Sequence, residues 1–430
     1  MWATIGKVVT AACVFLINIL MTRLLSPQEV GAYYILTSVV IICALLAQFG
    51  THQAIVRQLG SLDLKDLRQQ KKIIKTTFVI VTIGSFFICV PFSFGLGNWV
   101  GNYFFSSHLV AGASVLAACW IFLRAFQSII SQVNRGRQCF FSATIFEGTL
   151  TSVLITCALG GCWVFSIDIS LTEMLLITLG ALIFSVIVGM YLLLKGYWLV
   201  KAEKGLGVYE LLQISFPLFV ISIAIPGVSE AHVWVLGAST GEEDVAVYGV
   251  AYRLAKFVVL PLLIINSVLP PIVAQLYSQN EKRKLESVLR ATAAVAALPT
   301  LLVVTLLFFY SKEALTLLFG EIYSQGEFVL LLIVFAQAIN VFTGSPGVLL
   351  TMTGYQRVAM SFALMSGVFG LITSLFLVSK FGFLGVALGV AVGMVSHNLG
   401  MWWYCKKHLD ITTHLGVNAL IESVVVFRAK

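Results

Sequence analysis

Length and composition already limit the class of protein. The chain has 430 residues, of which 59% are hydrophobic and 11% are charged, and its mean hydropathy is +0.98. Soluble domains are about 45–50% apolar and about 25% charged, so a soluble enzyme, a disordered chain and a disulfide scaffold are excluded. We expect an all-α polytopic membrane protein, because the alternating strands of a β-barrel give only a weak hydropathy signal.

The formal net charge of +8 comes from 27 Lys and Arg residues against 19 Asp and Glu residues. In a soluble chain such an excess favours nucleic-acid binding, but in a membrane protein it arises because basic residues collect in cytoplasmic loops. We therefore expect no nucleic-acid partner. The eight Cys residues are scattered, nearly all in apolar runs and without CxxC spacing. They are interpreted as packing residues, and no metal or other cofactor is expected.

Apolar runs of membrane-spanning length recur along the whole chain. A spanning helix needs about 20 mostly apolar residues. The first run continues past Leu20 without a cleavage site, so we interpret it as a retained helix. The connections are too short to hold a folded domain. Twelve helices are predicted, over residues 5–25, 32–54, 76–96, 109–133, 140–165, 173–194, 213–237, 247–272, 292–311, 328–350, 358–379 and 384–405.

The basic residues are divided unequally between the two sides of the predicted helices. The side opposite the termini keeps only Arg23, Lys312 and Lys380. Under the positive-inside rule, this places both termini in the cytoplasm. The tail, 406–430, ends in LIESVVVFRAK, which fits a short amphipathic helix on the membrane surface or a disordered segment. Most Lys and Arg residues share the side of the termini, in 57–75, 135–137, 195–204, 282–290 and 406–430.

Two short motifs occur once in each half of the chain. Residues 29–33 (EVGAY) resemble 244–248 (DVAVY), and 55–59 (IVRQL) resemble 272–276 (IVAQL), at nearly the same offset. We predict two six-helix lobes, an N-terminal lobe over 1–200 and a C-terminal lobe over 201–405. Because six is even, both copies have the same orientation, which is a parallel repeat. In transporters of this kind the substrate lies between the repeats, which rock around it.

Several titratable residues lie inside the predicted helices. A charge at the helix centre costs about 2.5–3.5 kcal/mol on translocon scales, so each needs a partner or a function. Counted from the connecting turns at about 1.5 Å per residue, Arg124 and Glu147 lie about 14–15 Å from the cytoplasmic end. Glu230 and Arg253 lie about 11–12 Å from the outer end by the same count. The six residues are Arg124, Glu147, Glu230, His232, Arg253 and Lys256.

Two interpretations of these residues remain open. In the first, they form ion pairs that lock helix hairpins. In the second, Arg124, Arg253 and Lys256 bind an anionic substrate, while Glu147, Glu230 and His232 exchange a coupling cation. Lys256 lies one helical turn after Arg253 on the same face and has no obvious acidic partner in the sequence. A histidine side chain can titrate near neutral pH, which makes His232 a candidate for this role, and an ordinary hydrogen-bonding residue is the alternative.

Three prolines interrupt the predicted seventh and eighth helices, at Pro217, Pro226 and Pro261. Such breaks free backbone groups that protein or water must then satisfy. They are candidates for hinges or cavity walls, or else neutral packing kinks.

No catalytic motif is present. The chain has no Walker loop, HExxH, GxSxG or Cys/His cluster. A membrane glycosyltransferase or polymerase would need a sizeable outer loop with catalytic residues, and the predicted outer connections are short. We therefore expect a protein that is not an enzyme.

Several stretches resemble one family of membrane proteins. The first hairpin, TRLLSPQEVGAYYILTSVV followed by AQFGTHQAIVRQLG, is similar to the start of the polysaccharide biosynthesis (O-antigen) flippases. The middle, ISFPLFVISIAIPG and WVLGASTGEEDVAVYGVAYRLAKFVVLPL, resembles the start of their second half. FGFLGVALGVAVG, before the last helix, also fits. The resemblance extends over most of the chain in the same order.

That family belongs to the multidrug/oligosaccharidyl-lipid/polysaccharide exporter superfamily. The resemblance implies a two-lobed flippase of the bacterial inner membrane, with a cationic central cavity. Its implied cargo is an undecaprenyl-pyrophosphate-linked oligosaccharide, an O-antigen repeat unit, moved towards the periplasm. A coupling proton or sodium ion, membrane lipids, an O-antigen polymerase and a chain-length regulator are the implied partners. No cofactor is implied.

The chain departs from the family at one position. Many relatives carry an Asp before the LG of the seventh helix, where this chain has Glu230 and His232 around Val235-Leu236-Gly237.

Two other functions remain as alternatives. A cation-coupled multidrug exporter of the same superfamily would transport an organic cation. A membrane glycosyltransferase or polymerase of polysaccharide synthesis would make a sugar polymer in detergent.

Overall fold

The computed structural model describes residues 2–62, 66–196 and 206–416, and in these ranges every regular element is a helix. Within these ranges, twelve helices are long and apolar enough to cross a membrane, which confirms the predicted all-α polytopic fold. We name them α1 to α12 in chain order: Ile5–Leu24, Pro27–Gln48, Leu67–Phe104, Ser114–Gly136, Phe140–Val164, Leu171–Lys195, Val208–Ser239, Glu242–Asn266, Lys282–Phe309, Glu321–Thr343, Gln356–Phe381 and Phe383–Leu409.

Two helices begin well before the residues at which the hydropathy pattern starts them. The sequence predicts helices from 76 and 292, but α3 begins at Leu67 and α9 begins at Lys282. The additional turns are rich in Lys, Arg and Gln, which favour helix formation although they are polar. Their long side chains allow a helix to continue out of the apolar region while the charges remain hydrated.

The starts of α2 and α6 are fixed by the same local chemistry and are linked to each other. Ser26 and Ser170 each cap the backbone N–H three residues later, and Glu29 and Glu173 each accept from the backbone of the capping serine. This reciprocal pattern is a capping box. The other carboxylate oxygen of Glu29 accepts a hydrogen bond from the backbone N–H of Leu171 at 2.9 Å. The conspicuous SPQE segment therefore ties the start of α2 to the start of α6.

Short helices follow α2 and α8 at matching places. The predicted second helix runs to 54, but α2 ends at Gln48, and a separate helix covers Thr51–Gly60. Phe49 and Gly50 both have positive φ, which breaks the helix. In the second half, Leu269–Ser278 follows α8. Each motif of the second repeated pair lies on one of these short helices.

The chain packs into two compact units, Met1–Ala246 and Val247–Lys430. The first unit contains α7, which packs against α2 and against the short helix Thr51–Gly60. The predicted lobes follow the sequence repeat, with a boundary at residue 200, whereas packing groups α7 with the first six helices. The lobe boundaries remain a prediction about the repeat.

Residues 411–416, which we name the return segment, fold back onto the second unit after α12. Thr413 Oγ1 donates to the carbonyl of Thr343 at 2.7 Å, and Leu415 N donates to the carbonyl of Phe342 at 3.0 Å. Trp402 Nε1 donates to Nδ1 of His414 at 3.2 Å. The first part of the predicted tail is therefore packed against helices, and the predicted amphipathic helix lies outside the described residues.

Candidate functional site

A polar cluster lies within the first unit, where α4, α5 and α6 meet. Arg124 Nη1 donates to Oε1 of Gln127 at 2.7 Å and to the backbone carbonyl of Glu147 at 3.4 Å. Gln127 is 1% exposed. Its amide nitrogen donates to Thr151 Oγ1 at 2.6 Å and lies 3.5 Å from Ser185 Oγ. One buried amide thus joins the three helices and holds the guanidinium of Arg124.

Glu147 lies in an irregular turn of α5. Residues Ile145–Thr149 form a π-helical turn, and Gly148 within it departs from helical geometry. Such wide turns in α-helices occur frequently at functional sites. The Glu147 carboxylate forms a salt bridge with Arg135 at 2.8 Å, and their side chains are 44% and 34% exposed. The first unit therefore holds Arg124, Glu147 and Arg135 in one group with an excess of one positive charge.

The helix ends place Arg124 and Glu147 at different distances from the turn that connects α4 and α5, whereas the sequence predicts equal distances. α4 continues to Gly136 and the next helix begins at Phe140, so the connecting turn is shorter and lies later than expected. Arg124 is then twelve residues from its helix end, whereas Glu147 is seven residues into its own helix. At about 1.5 Å per residue the two positions differ by about 7.5 Å. The long Arg124 side chain reaches the Glu147 backbone, and the carboxylate pairs with Arg135.

An aromatic pair lies beside this polar cluster. The rings of Tyr33 on α2 and Trp120 on α4 are 5.4 Å apart at their centroids. Trp120 is one helical turn before Arg124 on α4, so the two side chains lie on the same face of the helix. The cluster therefore combines a cation, hydroxyl and amide groups, and flat aromatic surface.

The two candidates on α7 lie in the first unit, where α7 packs against α2. His232 is buried at 8% exposure, and Glu230 is half-buried. Trp234, one helical turn after Glu230, donates from Nε1 to Ser38 Oγ at 2.9 Å. Pro217 and Pro226 both lie inside a continuous α7.

The two basic candidates of the second unit precede a change in helix geometry. Arg253 Nη1 donates to the carbonyl of Gly249 at 3.1 Å in its own helix. The exposed Lys256 places its ammonium 4.6 Å from the ring centroid of Tyr252, a cation–π distance. Residues Lys256–Val259 form a 3₁₀ turn just before Pro261. Proline lacks the N–H and clashes with the carbonyl four residues earlier, which accounts for the change.

The predicted pairing of Glu230 with Arg253 remains a prediction.

Sequence reasoning missed four members of the polar cluster: Arg135, assigned to a connection, and Gln127, Thr151 and Ser185. Gln127 could have been found, because it is one helical turn from Arg124 on the same face of α4. Thr151 and Ser185 carry no such signal, since Ser and Thr commonly bond to their own helix backbone. In the part of the chain that the structure describes, no group of three or more His, Cys, Asp or Glu residues is arranged to hold a metal ion.

The fold is shared with solved transporters. An inward-facing multidrug resistance MATE family transporter of the MOP superfamily is similar with a TM-score of 0.72 and 16% identity, over 93% of this chain and 94% of that one. The lipid II flippase MurJ, in an inward closed conformation, is similar with a TM-score of 0.73 and 14% identity, over 100% of this chain and 92% of that one. These identities establish the fold alone, and they agree with the predicted two-lobed organisation.

A third similar structure is a MOP superfamily transporter from Pyrococcus furiosus, described as having a binding pocket of reverse polarity. Its TM-score is 0.61 and its identity 15%, over 95% of this chain and 94% of that one. The search of curated proteins gave no match. The sequence profile of the family described as polysaccharide biosynthesis protein matches residues 20–326, well over half of the chain. The chain therefore belongs to the polysaccharide biosynthesis protein family and has the fold of MOP-superfamily transporters.

Proposed function

We propose that this protein is a flippase that moves an undecaprenyl-pyrophosphate-linked oligosaccharide, an O-antigen repeat unit, across the bacterial inner membrane. The observation that carries the proposal is the bonding of Arg124. Its guanidinium donates to an amide and a backbone carbonyl, while the nearby carboxylate of Glu147 pairs with Arg135. The positive charge of Arg124 can therefore bind a phosphate group. The chain belongs to the polysaccharide biosynthesis family, which supports a phosphate-bearing lipid as the substrate.

In the proposed mechanism the basic residues bind the pyrophosphate. Hydrogen bonds between guanidinium or ammonium groups and phosphate are charge-assisted, and they are about twice as strong as neutral ones. Arg124 serves this role in the first unit, and Arg253 and Lys256 serve it in the second. The prenyl tail stays in lipid while alternating access moves the head group, as in transporters built from repeats.

The acidic residues and the histidine are the proposed coupling groups. Glu147, Glu230 and His232 exchange a proton or a sodium ion during the cycle. A charge or proton-carrying group within membrane helices is a functional candidate by default, because its insertion costs free energy. Glu147 forms a salt bridge with Arg135. When this salt bridge opens, the carboxylate of Glu147 becomes free to bind the coupling ion.

The protein is proposed to act without catalysis, as a multi-pass component of the inner membrane with both termini in the cytoplasm. An O-antigen polymerase and a chain-length regulator are its proposed functional partners, since a repeat unit that reaches the periplasm has to be polymerised there. MurJ, which has a similar fold, is a lipid II flippase.

The test measures long-chain O-antigen on the surface of a strain in which the chromosomal gene for this protein is deleted and replaced by each variant. Arg124→Gln and Lys256→Gln should each reduce long-chain O-antigen at least tenfold, at unchanged protein level in the membrane. Lys282→Gln removes an exposed basic residue from the start of α9 and should leave O-antigen unchanged. Normal O-antigen display in both Arg124→Gln and Lys256→Gln would refute the cationic site.

A multidrug exporter is the second candidate, because two solved structures of similar fold are of multidrug resistance MATE family transporters. The excess positive charge around Arg124 is unfavourable for cationic drugs, since like charges in a site of low dielectric repel strongly. Transport of an organic cation by reconstituted protein, coupled to a proton or sodium gradient, would favour this function. A sugar polymer made by purified protein would instead favour a glycosyltransferase or polymerase.

A further inference from the structure

A groove separate from the polar cluster runs along the surface of the first unit, between α3, α4 and α6. Its volume is about 470 Å³. Apart from Lys71, Lys75 and Thr82, all described residues that line it are apolar. Ile83 and Leu194 in its wall are each 49% exposed, as apolar residues that face lipid would be. The lining includes Lys71, Lys75, Phe78, Ile83, Met190 and Leu194.

The two lysines give the groove a charged end. Lys71 and Lys75 are one helical turn apart on α3, and both line the groove. Lys75 is exposed and Lys71 is half-buried. Residues one turn apart on a helix lie side by side, so the two ammonium groups can share one phosphate. None of the described lining residues is acidic.

The apolar part continues from the lysines along the helices. Phe78 and Ile83 follow Lys75 by one and two turns on α3, and Met190 and Leu194 lie on the last turns of α6. α3 begins and α6 ends at the side of the chain that collects basic residues. The charged end of the groove is therefore at the predicted cytoplasmic surface, and its apolar part points into the membrane.

We propose that this groove binds one anionic glycerophospholipid of the cytoplasmic leaflet, with its phosphate between Lys71 and Lys75 and one acyl chain along Phe78, Ile83 and Met190. Basic pockets between membrane helices on the cytoplasmic side bind anionic head groups by this chemistry. The volume is in the lower half of the range of about 300–1,000 Å³ for ligand clefts. It suits one acyl chain better than a long prenyl chain, so the site is independent of the transported cargo.

The experiment is native mass spectrometry of the full-length protein in detergent, titrated with phosphatidylglycerol and, separately, with phosphatidylcholine. The wild type should bind one phosphatidylglycerol more tightly than phosphatidylcholine. In the Lys71→Gln/Lys75→Gln variant, affinity for phosphatidylglycerol should fall about 30-fold, since each basic residue near an anionic surface contributes about fivefold. The control variant, Lys282→Gln/Arg283→Gln, removes two exposed charges from α9 and should bind as the wild type does.

A second variant tests the apolar part without changing charge. Ile83→Trp fills the groove and should weaken binding at least tenfold. Ile187→Trp places the same side chain on α6, where Ile187 is 62% exposed and does not line the groove, and should have no effect. The proposal is overturned if both groove variants bind phosphatidylglycerol like the wild type, if phosphatidylcholine binds equally well, or if a prenyl phosphate alone occupies the site.

Discussion

Gln127 shows how one neutral side chain can fix a charged one. Its amide oxygen accepts from Arg124, and its amide nitrogen donates to Thr151 on the next helix. A buried polar group left without a partner costs about 1–3 kcal/mol. The amide therefore sets both the orientation of Arg124 and the packing of α4 on α5.

Gln127→Leu should lower the free energy of unfolding by about 1–3 kcal/mol, because Arg124 loses its close acceptor and Thr151 loses its donor. Thermal unfolding in detergent measures the effect. Gln69→Leu is the matched control, since Gln69 is exposed at the start of α3. An unchanged midpoint for Gln127→Leu would mean that the amide does not support the cluster.

At the scale of elements, the return segment depends on glycine at the end of α10. Gly344 has a φ of 78°, and a Cβ at this position would meet the carbonyl oxygen of Thr413. Ile411 and Thr413 are fully buried. The segment is thus held by close backbone contact, which only a residue without a side chain permits.

Gly344→Ala should displace the return segment and destabilise the second unit by about 1–3 kcal/mol. Limited proteolysis should then cleave after α12 faster than in the wild type. Gly354→Ala carries the same positive-φ cost, at a φ of 90°, but its Cβ meets nothing within 4 Å. Equal protease resistance in the two variants would contradict the close contact.

The docking of the return segment should also depend on pH through His414. Burial lowers the pKa of His414 below the ordinary 6.5, with further lowering by the charges of Arg290 and Lys406 and an opposing effect of Glu286. The folded state therefore favours neutral imidazole, whose Nδ1 accepts from Trp402. Stability from this group is complete above the unfolded pKa of about 6.5 and decreases as pH falls below it.

Hydrogen exchange of residues 411–416 between about pH 8 and about pH 5 measures this dependence, because the unfolded-state pKa of histidine, about 6.5, lies within that interval. Protection in the wild type should fall on acidification. His414→Gln should flatten the profile. A wild-type profile that is already flat would exclude His414 as the titrating group.

Most of the helices could be predicted, but several of their contacts could not. Twelve apolar runs predict twelve membrane helices, and the described part of the chain contains twelve helices that are long and apolar enough to cross a membrane. The early starts of α3 and α9 were missed because Lys and Arg lower hydropathy without disfavouring a helix. The return segment was missed because it has no hydrophobic period, and its binding depends on Gly344 and on distant backbone carbonyls.

At the scale of the whole molecule, the charge partition makes a prediction about sidedness. Cys139 is exposed and lies between α4 and α5, in a connection that we predict to be cytoplasmic. Thr240 lies between α7 and α8, in a connection predicted to be periplasmic. The two positions therefore test the orientation of the chain from opposite sides of the membrane.

In a variant that retains only Cys139, a membrane-impermeant maleimide should react after permeabilisation of spheroplasts and not before. Thr240→Cys in a cysteine-free background should react with intact spheroplasts, because the positive-inside rule places it outside. Labelling of Cys139 in intact spheroplasts would reverse the proposed topology and, with it, the direction of proposed transport.

The wide turn at Ile145–Thr149 has a consequence for how relatives can be compared with this chain. A π turn contains one residue more than the α turn it replaces, and each residue of an α-helix advances about 100° around the axis. A relative with a regular helix here must be aligned with a one-residue gap inside α5. Without that gap, every position on one side of the turn is matched to a neighbour that points about 100° away. Glu147 itself lies in the turn, so its counterpart in such a relative depends on where the gap is placed.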